Sequence, residues 1–67
     1  MTVAKVTEIS SSSKVSFEDA IKTGIARAAK TLQNIKGAWV KEQSVDIEND
    51  KISQYRVNLM ITFVLKD

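Results

Sequence analysis

The chain has 67 residues and a mass of 7.4 kDa, with ten Lys and Arg residues against eight Asp and Glu residues, a net charge of +2 and no Cys, His or Pro. This length allows one domain, residues 1–67. Without Cys and His, the chain has no disulfide framework, thiolate nucleophile, imidazole base or typical zinc site. No nucleophile–base pair is visible among the remaining residue types, so we expect a protein that is not an enzyme.

The distribution of charge and apolar residues argues against two classes of partner. The lysines are spread along the chain and interleaved with acids, whereas a nucleic-acid-binding surface is usually a concentrated basic stripe. No segment approaches the roughly 18 consecutive apolar residues of a membrane span. The first residues lack the charged region and apolar stretch of a signal peptide. We therefore expect a cytoplasmic protein with no nucleic-acid or membrane partner.

The chain begins with a predicted strand and loop. The residues from Thr2 to Ile9 are rich in β-branched side chains with a short period, which predicts a strand. The four consecutive serines Ser10–Ser13 follow, and such a polar run between two periodic segments predicts a tight loop.

The next segment carries the pattern of an amphipathic helix. Ser16 is a candidate N-cap because Asp19 stands three residues further on, as in a capping box. Apolar residues then recur at spacings of three and four from Phe17 to Ile35. Asn34 and Gly37 are the candidate stop signals. The apolar stripe includes several small residues, which predict a close approach to a sheet: Ala20, Gly24 and Ala28.

A second strand is predicted from Ala38 to Ile47, and Glu48–Lys51 is predicted to form a hairpin turn because Asn and Asp tolerate left-handed backbone geometry. The alternation of this strand is imperfect, which indicates a bulge or a switch of face. Its apolar residues fall on two parities, with Ala38 and Val40 on one and Trp39, Val45 and Ile47 on the other.

The last strand is predicted from Ser53 to Leu65, and at about 3.3 Å per residue it would span about 43 Å. A compact domain of this length is about 28 Å across, so the strand must curve strongly or project beyond its own domain. One face is continuously apolar, and the other is half apolar. The whole chain is predicted to be an α+β fold, β-α-β-β, with a three-stranded antiparallel sheet wrapped around one helix.

The small size of the chain predicts self-association. A domain this short buries a smaller fraction of its surface than a larger one, so it is marginally stable by itself. Disulfides are unavailable, and oligomerisation is the remaining common source of stability. The half-apolar second face of the last strand is poorly suited to solvent, and it favours a subunit that packs against copies of itself.

The sequence resembles the dodecin family over nearly its whole length. The resemblance is carried by the helix start SFEDAI, the run GIARAAKTLQNI, the following VKE and the terminal YRVNLMITFVL. It implies a small subunit of a hollow dodecameric shell. Members of this family commonly bind flavins, such as FMN or riboflavin, as stacked pairs between subunits, and store or sequester them without catalysis.

Two positions depart from the flavin-binding pattern. The family places a Trp at the start of the second strand, where it stacks on the flavin ring, but alignment on VKE puts Gly37 there and Trp39 two residues later. The family also places a Gln directly after the Tyr of the last strand, and here that residue is Arg56. Arg can donate to flavin carbonyls but cannot accept from the ring N–H. In these respects the chain is similar to the calcium dodecins, a subgroup of the family.

The resemblance therefore implies two alternative functions. In the first, Trp39 stacks on a flavin beside Gly37, and Arg56, Gln43 or Gln54 supplies polar contacts. In the second, the shell has lost flavin binding and serves as a structural or cation-binding assembly.

The residues themselves also allow readings without any ligand. A single Trp on a short strand can be a core or interface anchor. Arg56 can pair across the sheet with Glu42 or Glu48. Either reading would remove a flavin contact and leave the fold unchanged.

A group of oxygen-bearing side chains surrounds the predicted turn. Asp46, Glu48 and Asp50, with Asn49 between them, are ligand types that calcium prefers, and we treat the three acids as candidate metal ligands. Their spacing does not match an EF-hand loop, so a solvated turn is the alternative. In an oligomer, symmetry could bring several copies of one acid together at an axis.

Overall fold

The computed structural model describes residues 2–65, so the two ends of the predicted 1–67 domain lie outside the described residues. Its elements are β1 (Ala4–Ser13), α1 (Phe17–Ala28), β2 (Ile35–Glu48) and β3 (Lys51–Val64). β3 is the central strand of a three-stranded sheet with the order β1-β3-β2, and both pairs are antiparallel. The predicted β-α-β-β fold is confirmed. Within the described part, no helix has the length and apolar character needed to cross a membrane.

The core lies between α1 and the middle of β3. Val57, Leu59 and Ile61 alternate along β3 and are fully buried or nearly so, as their period of two predicts. They pack against the small residues Ala20 and Ala28 of α1. The helix lies over β1 and β3, and it leaves β2 largely uncovered. The buried core is therefore narrow and off-centre.

The start of α1 agrees with the capping prediction. The Ser16 side chain accepts a hydrogen bond from the backbone N–H of Asp19 at 3.0 Å. The two acids of the first turn, Glu18 and Asp19, lie where the helix dipole favours negative charge. Local sequence signals are thus sufficient to place this end of the helix.

The end of α1 differs from the prediction, because the helix stops at Ala28 and does not continue to Ile35. After Ala28 the chain forms hydrogen bonds that span three residues. The N–H of Lys30 donates to the Arg27 carbonyl, and the Thr31 hydroxyl donates to the Ala28 carbonyl. Asn34 has a φ of 62° and reverses the chain, as a stop residue would. Gly37 does not act as a stop, because it lies inside β2 without a positive φ.

The serine run is strand and not loop. Ser10–Ser13 form the end of β1 and pair with Asn58 to Tyr55 of β3. This part of the strand lies close to α1 at Gly24, where an added Cβ would lie 3.0 Å from the Cβ of Ser11. Ser11 also donates to the Ala20 carbonyl at 2.8 Å. Serine is small enough for this approach and supplies its hydrogen bond, so the run has a packing role.

Bulges in the β2–β3 pair explain the imperfect alternation of β2. The register shifts between Val40 and Glu42, which leaves Lys41 as the extra residue. Val40 lies opposite Leu59, and Val45 lies opposite Tyr55. The predicted bulge is confirmed. Its effect is to put Val45 on the same side of the sheet as Val40 and α1, while Trp39, which precedes the bulge, stays on the opposite side.

The β2–β3 hairpin projects beyond the rest of the fold. β1 pairs with β3 only from Tyr55 onward, so residues 46–54, here called the arm, form a two-stranded ribbon. Asn49 and Asp50 have φ values of 52° and 62° and make the predicted turn. The described chain measures 51 × 19 × 13 Å. Of the two alternatives predicted for the last strand, strong curvature and projection beyond the domain, the structure shows projection.

Candidate functional site

The sheet has one side without a helix, here called the open face, and most of the candidate ligand contacts lie on it. Gly37 lies opposite Thr62, and Trp39 lies opposite Met60, with no register shift between the two pairs. Because Thr62 and Met60 alternate with the buried residue Ile61, they point away from α1. Gly37 and Trp39 therefore share the open face, as the alignment with flavin-binding sequences requires.

Trp39 presents its ring to solvent on this face. The side chain is 51% exposed, which is unusual for the largest apolar side chain of a small protein. Its cross-strand neighbour Met60 is half-buried, and Met60 pairs on its other side with Glu8 of β1. Lys41 reaches across the sheet to Glu8, with its Nζ 3.4 Å from Oε1. The Trp39 ring thus lies beside a thioether and near an ion pair.

Gly37 leaves open space next to Trp39. A Cβ added at this position would meet no heavy atom within 4 Å. The backbone there does not have a positive φ, so glycine is not required by conformation. The position at which the resemblance to flavin-binding dodecins predicts a Trp is therefore open, with no neighbouring atom in the way of an added Cβ.

Arg56 is engaged in an ion pair on the same face. Its Nη2 lies 2.7 Å from Oδ2 of Asp46, and both side chains are about half-exposed. The prediction that Arg56 pairs across the sheet is confirmed in kind, but the partner is Asp46 and not Glu42 or Glu48. The cause is the register, because Asp46 lies opposite Gln54 and so one step along the open face from Arg56.

The two glutamines lie on opposite sides of the sheet. Gln54 faces Asp46 and shares the open face with Arg56. Gln43 lies opposite the buried Val57, so it is on the α1 side. The bulge at Lys41 causes this separation. Within one chain, Gln43 cannot contact the same small molecule as Trp39 across the sheet.

Trp39 and Arg56 are separated along the sheet. Met60, the partner of Trp39, stands four residues from Arg56 on β3, which is about 13 Å at the usual rise of a strand. The Arg56 guanidinium is also held by Asp46, which lies on the far side of Arg56 from Trp39. Two copies of the chain would supply both contacts more directly than one.

The acids near the turn do not form a ready metal site in one chain. Among residues 2–65, no three acidic side chains are grouped closely enough to hold a metal ion. One oxygen of Asp46 is already bound to Arg56. Glu48 and Asp50 are exposed at the end of the arm. Asp46, Glu48 and Asp50 remain predicted ligands for a site shared between copies.

A groove that the sequence reading did not single out lies on the other side of the sheet. It has a volume of about 580 Å³ and runs between α1 and β1. Its lining includes three apolar side chains, here called its floor, which are Ile9, Ala28 and Leu32. Serine and threonine residues of β1 line it as well, and Thr23 and Arg27 line it from the helix. Thr23 and Arg27 are four residues apart, so they lie on the same face of α1. This spacing is the sequence signal that could have indicated the helical side of the groove.

The chain matches known dodecins in sequence and in structure. The dodecin family model matches residues 3–66. A crystal structure of a Thermus thermophilus dodecin variant is 33% identical with a TM-score of 0.94, and the match covers 100% of both chains. The dodecin from Streptomyces davaonensis is 29% identical with a TM-score of 0.93, covering 98% of this chain and 97% of that one.

A third similar structure represents a different branch. It is the calcium dodecin from Mycobacterium tuberculosis, described as a calcium-chelating immunodominant antigen with a novel calcium-binding site. It is 32% identical with a TM-score of 0.82, covering 96% of this chain and 91% of that one. No curated protein sequence matches the chain significantly. The family match over almost every residue and the agreement of the whole fold lead to one conclusion: the chain belongs to the dodecin family.

Proposed function

We propose that the protein is a non-catalytic subunit of a homododecameric shell that binds and stores a small planar aromatic ligand, with a flavin (FMN or riboflavin) as the candidate. The observation that carries this proposal is the half-exposed ring of Trp39 on the open face, which has the open space of Gly37 beside it. Large aromatic side chains are favoured platforms for stacking. The family is known for binding without catalysis, and we propose the same here, in the cytoplasm.

The separation of the contacts supports a site formed by two copies. Trp39 and Arg56 lie about 13 Å apart along one sheet. The open face also carries half-buried apolar side chains, including Met60 and Val64, beside the exposed Val6. Burying this face between subunits would stabilise the assembly and enclose the ligand.

Arg56 makes recognition of the flavin edge different from the family pattern. A Gln amide both donates and accepts hydrogen bonds, whereas a guanidinium only donates. In addition, Arg56 must share its donors with Asp46 at 2.7 Å. We expect stacking on Trp39 to dominate binding, with a smaller contribution from the edge of the ring.

A fluorescence titration tests this proposal directly. Trp39 is the only Trp of the chain, so quenching of both Trp and flavin emission reports stacking at one position. We expect riboflavin to quench both at micromolar concentration in the parent protein, and Trp39→Leu to lose flavin quenching. Val15→Leu, which alters an exposed aliphatic position away from the sheet, is the matched control. Unchanged emission with riboflavin, FMN and lumichrome would reject the proposal.

A second candidate function is a shell without flavin that is structural or binds calcium. The observation that favours it is that both flavin-contacting positions are altered, with Gly37 lacking a ring and Arg56 held by Asp46. In this alternative Asp46, Glu48 and Asp50 from neighbouring copies supply oxygen ligands. The acids at the exposed end of the arm are free to approach a symmetry axis.

Thermal unfolding separates the two candidates. An ion that binds only the folded assembly raises the melting temperature of that assembly, and a chelator reverses the effect. We expect a calcium-dependent rise that Glu48→Gln or Asp50→Asn removes, with Glu18→Gln as the control because Glu18 lies on α1 and pairs with Lys22. A melting temperature indifferent to calcium and chelator, with no heat in a calorimetric titration, would reject the cation site.

A further inference from the structure

The arm carries an apolar pair that the described residues 2–65 leave at least half exposed. Ile47 and Ile52 are opposite each other and are 59% and 50% exposed. The register shift between Asp46 and Ile47 turns the pair to the α1 side of the sheet. A two-stranded ribbon is marginally stable in water by itself. The arm therefore has the composition and geometry of a segment that packs against another surface.

The groove between α1 and β1 is the surface that complements the arm. Its floor is apolar, with Ile9, Ala28 and Leu32, and its volume of about 580 Å³ accommodates aliphatic side chains. The groove and the arm cannot meet within one chain. Phe17 of α1 contacts Tyr55 where the arm begins, and from there the helix and the arm run in opposite directions.

The charges of the two surfaces are also complementary. The end of the arm carries Glu48 and Asp50 beside Lys51, and Lys14 of the β1–α1 connection borders the same surface hollow as Glu48. The groove carries Arg27, which has no acidic partner within residues 2–65. Lys30 follows on the next turn and is exposed. An acidic tip and a basic wall place the apolar pair over the apolar floor with a defined orientation.

We propose that the arm of one subunit docks in the α1–β1 groove of a second copy, with Ile47 and Ile52 on the groove floor and the acidic tip next to Arg27. The inference rests on the homo-oligomer of the proposed function and adds which surfaces meet. Each copy offers a different surface to its two neighbours, so the contact is head-to-tail and closes into a ring when the rotation permits.

Cysteine cross-linking tests the contact, because the chain has no Cys of its own. In the double variant Thr23→Cys/Glu48→Cys, the two positions of one chain are about 20 Å apart along the helix and strand. A disulfide needs Cα atoms within about 7 Å, so any bond must join two copies. We expect covalent oligomers after mild oxidation, and none from Ala26→Cys/Glu48→Cys, because Ala26 is exposed on α1 outside the groove.

The assembly mass of the parent protein, measured by light scattering, distinguishes the two ways in which this inference can fail. An oligomeric parent whose Thr23→Cys/Glu48→Cys variant does not cross-link, or cross-links no better than the Ala26→Cys control, overturns the docking inference and leaves the shell intact. A monomeric parent at micromolar concentration overturns both.

Charge reversal gives a second test that does not depend on disulfide geometry. We expect Arg27→Glu to raise the dissociation constant of the assembly at least tenfold, and the added substitution Glu48→Lys to restore most of the loss. Circular dichroism of each variant verifies that the subunit fold is retained. No effect of Arg27→Glu, or a loss that Glu48→Lys does not reverse, would overturn the pairing of these surfaces.

Discussion

The two strands that flank β3 have the same neighbour but different surroundings. β1 lies under α1, and its serines meet the helix at hydrogen-bond distance. β2 pairs with β3 over a longer span, yet nearly all of its residues are exposed. The comparison shows that pairing alone does not bury a strand. The helix decides which half of the sheet is core and which half remains available to a ligand or another copy.

The largest expected difference between the halves comes from a cross-strand pair. Leu59 is 1% exposed, and its β2 partner Val40 is 39% exposed. We expect Leu59→Ala to lower the free energy of unfolding by about 3 kcal/mol, because it removes buried methyl groups and leaves a cavity. Val40→Ala should cost less than about 1 kcal/mol within the subunit. Chemical denaturation measures both, and equal costs would show that β2 is covered as fully as β3.

The two glycines sharpen the same comparison. At Gly24 an added Cβ would lie 3.0 Å from the Ser11 Cβ and 3.2 Å from Leu59 Cδ1. We expect Gly24→Ala to destabilise the protein by about 1–3 kcal/mol because α1 must move away from β1. Gly37→Ala meets open space, so it should be neutral or stabilise β2 by less than about 1 kcal/mol. A neutral Gly24→Ala would show that α1 can shift freely over the sheet.

The smallest effect on stability, and the most informative for function, is expected on the open face. The Arg56–Asp46 pair is exposed, so Arg56→Gln should change the unfolding free energy by less than about 1 kcal/mol. It should nevertheless strengthen riboflavin binding, because Gln both donates and accepts. Adding Gly37→Trp should strengthen it further. Arg56→Lys is the control that keeps the charge, and unchanged riboflavin affinity in the double variant would contradict this account.

Local signals in the sequence were sufficient where one segment decides the outcome. The alternation of β3 identified Val57, Leu59 and Ile61 as core. The cap at Ser16 located the start of α1. The helix end was predicted wrongly because Leu32 and Ile35 continue the apolar period, although they reach the core from a turn and from β2. The apolar period indicates which residues are buried, and a residue can be buried without being part of the helix.

The sequence identified candidate ligand contacts but did not show which of them lie close together. The resemblance to flavin-binding dodecins singled out Trp39 and Arg56, but their separation along the sheet follows from the β2–β3 register. The same register placed Gln43 on the α1 side and gave Arg56 the partner Asp46. A bulge shifts every later side chain to the other face. The imperfect alternation of β2 indicates a bulge, but its position depends on how β2 pairs with β3, which the residues of β2 alone do not encode.

The amino-acid sequence determines the order of elements, the apolar face of β3, the helix cap and the family, because each of these depends on neighbours within a few residues or on motif order. Tertiary structure decides which strand α1 covers, where Ser10–Ser13 belong and which residues share the open face. These outcomes depend on steric fit between segments far apart in the chain. The close approach of Gly24 to Ser11 holds α1 over β1, and β2 and the arm remain exposed as a result.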